Sequence, residues 1–167
     1  MEALEAIKKL ESYPSFKEFK KINKDSYLTH AFAMIEDASS NDPIDNWQIG
    51  FYDDKKDKIT IFDVGKKITQ SPESEVFKNK KTIKKLDISN VIINLNMAFE
   101  IVDKLLKEKH PFEFVSKKII ILQNFEEENV WNITYITMKF NIFNVRIDVS
   151  NGKVVHSSFE SLLSWQK

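Results

Sequence analysis

The sequence predicts an α+β fold made of two similar units, each a helix packed on a small antiparallel sheet in the order α-β-β-β. Two observations support this. In each half of the 167 residues, apolar residues first recur at helical spacing and then form three short stretches that predict strands. Trp47 and Trp131 open corresponding strands 84 residues apart, and Asp63 and Asp148 follow them at similar distances. A repeat of this length exceeds that of a solenoid and fits a domain duplication.

The first half is predicted to contain two short helices and then three strands. Apolar residues at helical spacing indicate a helix over MEALEAIKKL, and Pro14 interrupts it before Phe16 and Phe19 indicate a second. Alternating apolar residues predict strands over residues 27–35, 47–52 and 59–64.

The second half begins with a long amphipathic pattern, with apolar residues from Ile88 to Leu106, that predicts a helix ending near His110 with Asp87 or Ser89 as its N-cap. Strands are predicted over residues 118–122, 130–138 and 142–150, and Asn151-Gly152 suits a tight hairpin turn. Ser157 and Glu160 have capping-box spacing, which predicts a last short helix.

These elements divide the chain into a first unit over residues 1–80, a Lys-rich connector over 81–86 and a second unit over 87–167. The stretch KNKKTIKK before the second unit holds five lysines in eight residues, which is typical of a solvated linker. Units of this size have limited cores, so we expect the two to pack together.

The closing strands of both halves resemble the PepSY family. Its modules open with a helix of the form E-A-x-x-x-A and close with W-x-V followed by V-x-V-D-x-x-T-G-K-V. Here the second half offers WNITYI and VRIDVSNGKVV, whereas the first offers WQIGFY and ITIFDVGKKI, which lacks two residues before Gly65. The resemblance implies a PepSY/cystatin-like fold and a role in binding or inhibiting peptidases. It implies no catalytic residues.

Composition argues against several classes of function. The formal net charge is zero, and only one of the 25 basic residues is Arg, so we expect no nucleic-acid partner. The chain has no Cys, which excludes disulfides and thiolate chemistry. Only three Gly are present, and no phosphate-binding glycine motif occurs. We expect no cofactor and no bound metal.

The histidines and tryptophans leave a second interpretation open, a small-molecule-binding or enzymatic α+β domain. A helix on an antiparallel sheet can enclose an apolar pocket, and His30, Trp47 and Trp131 are the candidate lining residues. For His30, which alternates with Leu28 and Phe32 on one predicted strand face, a structural role is the simpler interpretation.

The central hairpin tips of the two halves differ in polarity. DDKKDK in the first is charged, whereas TMKFNIF in the second carries Met138, Phe140, Ile142 and Phe143. Such an apolar tip is either buried against the other unit, which we favour, or forms an interaction surface for a second copy or another protein.

The sequence therefore predicts a non-enzymatic module that binds a protein or peptide, with a peptidase as one candidate partner and a homodimer as another. No apolar run has the ~18 residues of a membrane span. The charged N-terminal helix is not a signal peptide, which predicts a cytoplasmic protein as given, or an extracytoplasmic one if a leader has been removed.

Overall fold

A computed structural model describes residues 1–40, 42–75 and 83–163. Three helices and nine strands follow one another within these ranges. In chain order they are α1 (Ala3–Ser12), α2 (Pro14–Ile22), β1 (Tyr27–Ile35), β2 (Trp47–Asp53), β3 (Lys58–Val64), β4 (Ile68–Gln70), β5 (Ser74–Glu75), α3 (Leu95–Lys109), β6 (Val115–Phe125), β7 (Glu128–Thr137), β8 (Asn141–Asp148) and β9 (Val154–Ser161).

All nine strands belong to one antiparallel sheet, ordered β4-β3-β2-β1-β6-β7-β8-β9, with β5 also paired to β3. The predicted fold class, two units each with a helix on its own small sheet, is therefore wrong, because a single large sheet dominates the molecule. The two halves join where β1 pairs with β6, from His30 opposite Gln123 to Ile35 opposite Lys118. This pairing removes two sheet edges that separate units would have left unpaired.

The division into 1–80, 81–86 and 87–167 stays a prediction. Part of the proposed connector, residues 81 and 82, lies outside the described ranges.

Helices α1 and α2 cover one face of the first strands. Glu2 and Glu5 form a capping box at the start of α1, and Pro14 begins α2 at a position where its missing N–H is not needed. The Phe16 ring of α2 lies 4.9 Å from that of Phe51 on β2, measured between centroids. These aromatic contacts fix α2 against the sheet.

Helix α3 starts later than the apolar spacing predicts. Its N-cap is Asn94, whose side-chain oxygen accepts a hydrogen bond of 2.9 Å from the Met97 N–H, so neither Asp87 nor Ser89 caps it. The N–H groups of Ile92 and Ile93 both donate to the Val149 carbonyl, at 2.9 and 2.8 Å. This bonding holds the preceding segment against the β8–β9 connection and outside the helix.

The predicted C-terminal helix after Ser157 is also wrong, because strand β9 occupies that stretch. Ser158 pairs with Asn144 and Phe159 with Phe143 along β8. The Phe159 ring stacks on His110 at a centroid distance of 3.8 Å. Ladder bonds and this stacking outweigh the local capping-box signal.

The two faces of the sheet differ in what covers them. Trp47 and Trp131 lie on the helix-covered face, with ring centroids 6.5 Å apart, in the buried core. His30 lies on the opposite face, where its ring sits directly over Gly50 of β2. A Cβ added at Gly50 would stand only 2.2 Å from the His30 Cε1 atom. Any larger residue at position 50 therefore forces the His30 ring to move.

We expect Gly50→Ala to lower the free energy of unfolding by about 1–3 kcal/mol, because the new methyl group collides with the imidazole. In a His30→Ala background the same substitution should cost less than about 0.5 kcal/mol, since the colliding ring is absent. Urea denaturation of the four proteins in this cycle measures the coupling. Equal costs in both backgrounds would contradict the contact.

Candidate functional site: an apolar end surface and the adjoining acidic groove

Of the three residues of the predicted pocket, the structure brings Trp47 and Trp131 together but not His30. The indole N–H of Trp47 donates to the Met1 carbonyl at 3.0 Å, and that of Trp131 donates to the Ile93 carbonyl at 2.8 Å, so both rings serve as core residues. Trp131 borders a cleft of about 180 Å³ between α1 and residues 91–94. His30 lies on the other face of the sheet, and burial lowers its pKa. This arrangement offers no shared apolar pocket to a small molecule.

The four residues of the apolar hairpin tip differ in their exposure to solvent. Met138 and Phe140 are 65% and 61% exposed, whereas Phe143 is 1% exposed and lies in the core on the helix-covered face of the sheet. Ile142 is partly buried. Only the first two of the four predicted surface residues therefore present large apolar areas to solvent.

Three further exposed hydrophobic residues extend this tip: Phe112, Phe114 and Leu163, at 77%, 67% and 63% exposure. Backbone bonds bring them together, since the Met138 N–H donates to the Phe114 carbonyl at 2.8 Å and the Leu162 N–H donates to the Phe140 carbonyl at 2.9 Å. We call Phe112, Phe114, Met138, Phe140 and Leu163 the apolar end surface.

Sequence reasoning missed Phe112, Phe114 and Leu163. The available signal was the pair of phenylalanines flanking Glu113 directly after a predicted helix end, a stretch assigned to no element. A cluster of this kind on a protein surface is typical of an interaction site.

Phe140 has a backbone conformation that bulky residues rarely adopt. Its φ is +59°, in the left-handed region, which costs a residue with a Cβ about 1 kcal/mol or more. Glycine or asparagine is usual at such turn positions. Here an aromatic side chain occupies it and points into solvent, so folding alone does not account for the choice of residue.

A charged side chain beneath the surface fixes the turn that carries Phe140. A Glu113 carboxylate oxygen lies 3.4 Å from the Lys139 ammonium. Burial raises the pKa of Glu113, but hydrogen bonding with Thr137 and Asn141 and the charge of Lys139 outweigh it and hold the pKa below its usual range. The carboxylate therefore stays ionised and bound to the turn.

A groove of about 460 Å³ lies at the same end of the sheet, on the other side of β6. Strand β1 continues past its last partner in β2, Phe32 opposite Gln48, so residues 33–35 pair with a described strand only on the β6 side. The loop between β1 and β2 closes the groove opposite this stretch of strand. We call this feature, with Phe32 and Met34 among its lining residues, the acidic groove.

Four carboxylates line the acidic groove, and no Lys, Arg or His is among its lining residues. They are Glu36, Asp37, Asp42 and Asp45. Hydrogen bonds from the Ser39 hydroxyl and N–H lower the pKa of Asp37, so it is ionised at neutral pH. Glu36 pairs with Lys117, which offsets one of the four charges. The groove therefore favours a cationic occupant with some apolar surface.

No three histidine, aspartate or glutamate side chains in residues 1–40, 42–75 and 83–163 are placed to hold a metal ion. In the same ranges, no helix is both long and apolar enough to cross a membrane.

Comparison with solved structures finds a protein of similar fold. The chain is similar to the crystal structure of a "putative lipoprotein" from Clostridium difficile 630, with 17% sequence identity and a TM-score of 0.56. The match covers 87% of this chain and 90% of the other. No family model and no curated protein matches the sequence. At this identity the likeness concerns the fold alone.

We expect Phe140→Gly to raise the free energy of unfolding by about 0.5–1 kcal/mol, because glycine adopts this φ without strain. Phe143→Ser should lower it by about 3–5 kcal/mol, since it empties a core position. Urea denaturation of both variants beside the wild type distinguishes the two positions. A loss of stability in Phe140→Gly similar to that in Phe143→Ser would show that Phe140 also serves the core.

Proposed function

We propose that this chain is a non-enzymatic binding module that recognises a peptide or protein segment at the end of its sheet. The apolar end surface and the acidic groove together form the recognition site. The segment is extended, with apolar side chains and at least one Lys or Arg.

Phe140 is the observation that carries the proposal. An exposed aromatic ring in a conformation suited to glycine lowers stability, and such strain is concentrated at functional positions. Aromatic residues are also enriched among those that contribute most to binding between proteins. The other four exposed apolar residues of the apolar end surface lie at the same end of the sheet as Phe140.

The acidic groove supports the extended conformation and the charge of the ligand. Strand β1 presents residues 33–35 beside the groove, and an extended segment can form main-chain hydrogen bonds with such a strand. The apolar side chains of Phe32 and Met34 suit alternate residues of the ligand. Asp42 and Asp45 on the loop attract its cationic side chains.

The resemblance of VRIDVSNGKVV to the closing strands of PepSY modules supports a partner of the peptidase or propeptide class. We also favour a site of action outside the cytoplasm. The name of the Clostridium difficile protein of similar fold is compatible with that location.

Selection of a random displayed peptide library on the immobilised protein tests the proposal. We expect enrichment of peptides that combine Lys or Arg with apolar residues, and calorimetry should show that Phe140→Ser weakens their binding at least about tenfold. The double variant Asp42→Asn/Asp45→Asn should weaken it similarly and reduce its dependence on salt, because the attraction is electrostatic.

The matched control is Ile22→Ser, which removes an exposed apolar side chain at the opposite end of the sheet. It should leave peptide binding unchanged. The proposal is wrong if no peptide is enriched over a blank surface, or if the selected peptides bind the Phe140 variant and the Ile22 variant equally well.

A further inference from the structure

The two edges of the sheet are protected to different degrees. One edge consists of the short strands β4 and β5, with Lys66 and Lys67 before β4 and Pro72 between the two. Short edge strands, lysines and prolines all discourage pairing with another chain. The other edge is β9, which has eight residues, no Lys and no Pro.

Strand β9 is regular for most of its length. A register shift opposite residues 146 and 147 marks its beginning, and from His156 onward every residue has a partner in β8. No strand in the described ranges pairs with the other side of β9. Within the described ranges, the stretch from His156 to Glu160 is therefore a regular edge that lacks a second neighbouring strand.

The hydrogen bonding of β8 and β9 shows which backbone groups face outward. The Leu162 N–H donates to the Phe140 carbonyl. Hydrogen-bonded and non-bonded residue pairs alternate along an antiparallel ladder. Ser158 and Glu160 therefore also direct their backbone N–H and C=O groups toward β8. Ser157 and Phe159 then direct their N–H and C=O groups away from the sheet.

We propose that β9 is a dimerisation strand, which pairs in antiparallel orientation with β9 of a second copy of this chain. The two-fold axis passes between Ser158 of each copy. Ser157 then lies opposite Phe159 of the partner subunit, and each pair exchanges two main-chain hydrogen bonds. The two sheets become one continuous sheet across the dimer.

Polar complementarity favours this register and a second copy as the occupant, because an imidazole N–H can donate a hydrogen bond to a carboxylate. His156 and Glu160 lie on one face of β9, since they pair with Arg146 and Ile142 of β8 and are four residues apart. The two-fold axis places His156 opposite Glu160 of the partner subunit, and the reverse pair is formed on the other side.

The other face of the proposed pair is also self-complementary. Ser157 and Phe159 point to the helix-covered side, where their partners in β8 are Val145 and Phe143. Across the axis the small Ser157 side chain lies opposite the large Phe159 ring of the partner subunit. Two like rings therefore do not meet at the centre of the interface.

A charge exchange tests the pairing in solution. We expect light scattering and sedimentation to show a concentration-dependent dimer for the wild type. His156→Glu should weaken dimerisation about tenfold, because it sets two glutamates opposite each other at both symmetric positions. Glu160→Lys should also weaken it. The double variant His156→Glu/Glu160→Lys should restore the dimer, since opposite charges face each other again.

A second variant tests the backbone rather than the charges. Ser157→Pro removes an outward-facing N–H and should yield a monomer with an unchanged circular dichroism spectrum, because the bonds to β8 are retained. The proposal is overturned if the wild type is monomeric up to its highest soluble concentration, or if the double variant is no more dimeric than either single variant. Because Phe140 and the acidic groove are unchanged in all these proteins, peptide binding there succeeds or fails independently of the result.

Discussion

The pairing of β1 with β6 is the interaction on which the rest of the structure depends. It joins six residues of each strand at the centre of the sheet and turns two groups of strands into one. Trp47 and Trp131 pack against each other beneath this junction on the helix-covered face. Without the junction, each half would expose a strand edge and one side of a tryptophan ring.

The antiparallel direction of this junction also determines where the hairpin tips lie. The β2–β3 tip is at the end of the sheet where β1 begins, since Tyr27 pairs with Tyr52. The β7–β8 tip is at the opposite end, because Val115 of β6 pairs with Thr137. The two hairpin tips therefore cannot pack against each other, and Met138 and Phe140 remain exposed. The charged and apolar ends of the molecule follow from a single strand pairing.

Local sequence patterns predict the elements better than their arrangement. Strand β1 has the bounds that its alternation predicts, because a half-buried strand leaves a period of two in the sequence. The similar Asp-Val stretches do not occupy equivalent positions in the sheet. Asp63 pairs with Gln48, the residue after Trp47, whereas Asp148 pairs with Val130, the residue before Trp131. Which strand lies next to which depends on contacts distant in sequence, and no periodicity encodes them.

The candidate site is likewise predictable from local sequence patterns only in part. The sequence marks this hairpin tip as apolar, but the favoured prediction that it is buried against the other unit is wrong for Met138 and Phe140, which are exposed. The burial of Phe143 follows from the alternation of β8, once its register is known. The acidic groove was beyond prediction because it depends on how far β1 extends past β2. The pair Phe112 and Phe114 is visible in the sequence, but its place beside the hairpin tip depends on what the α3–β6 connection contacts.

Native-state hydrogen exchange tests the central junction most directly. If β1–β6 pairing holds the molecule together, amides of residues 31–33 and 120–122 will exchange only through global unfolding. Their opening free energy will then equal the free energy of unfolding measured with urea, and both halves will share it. Exchange at these amides well below that value, with the two halves opening independently, would contradict a single continuous sheet.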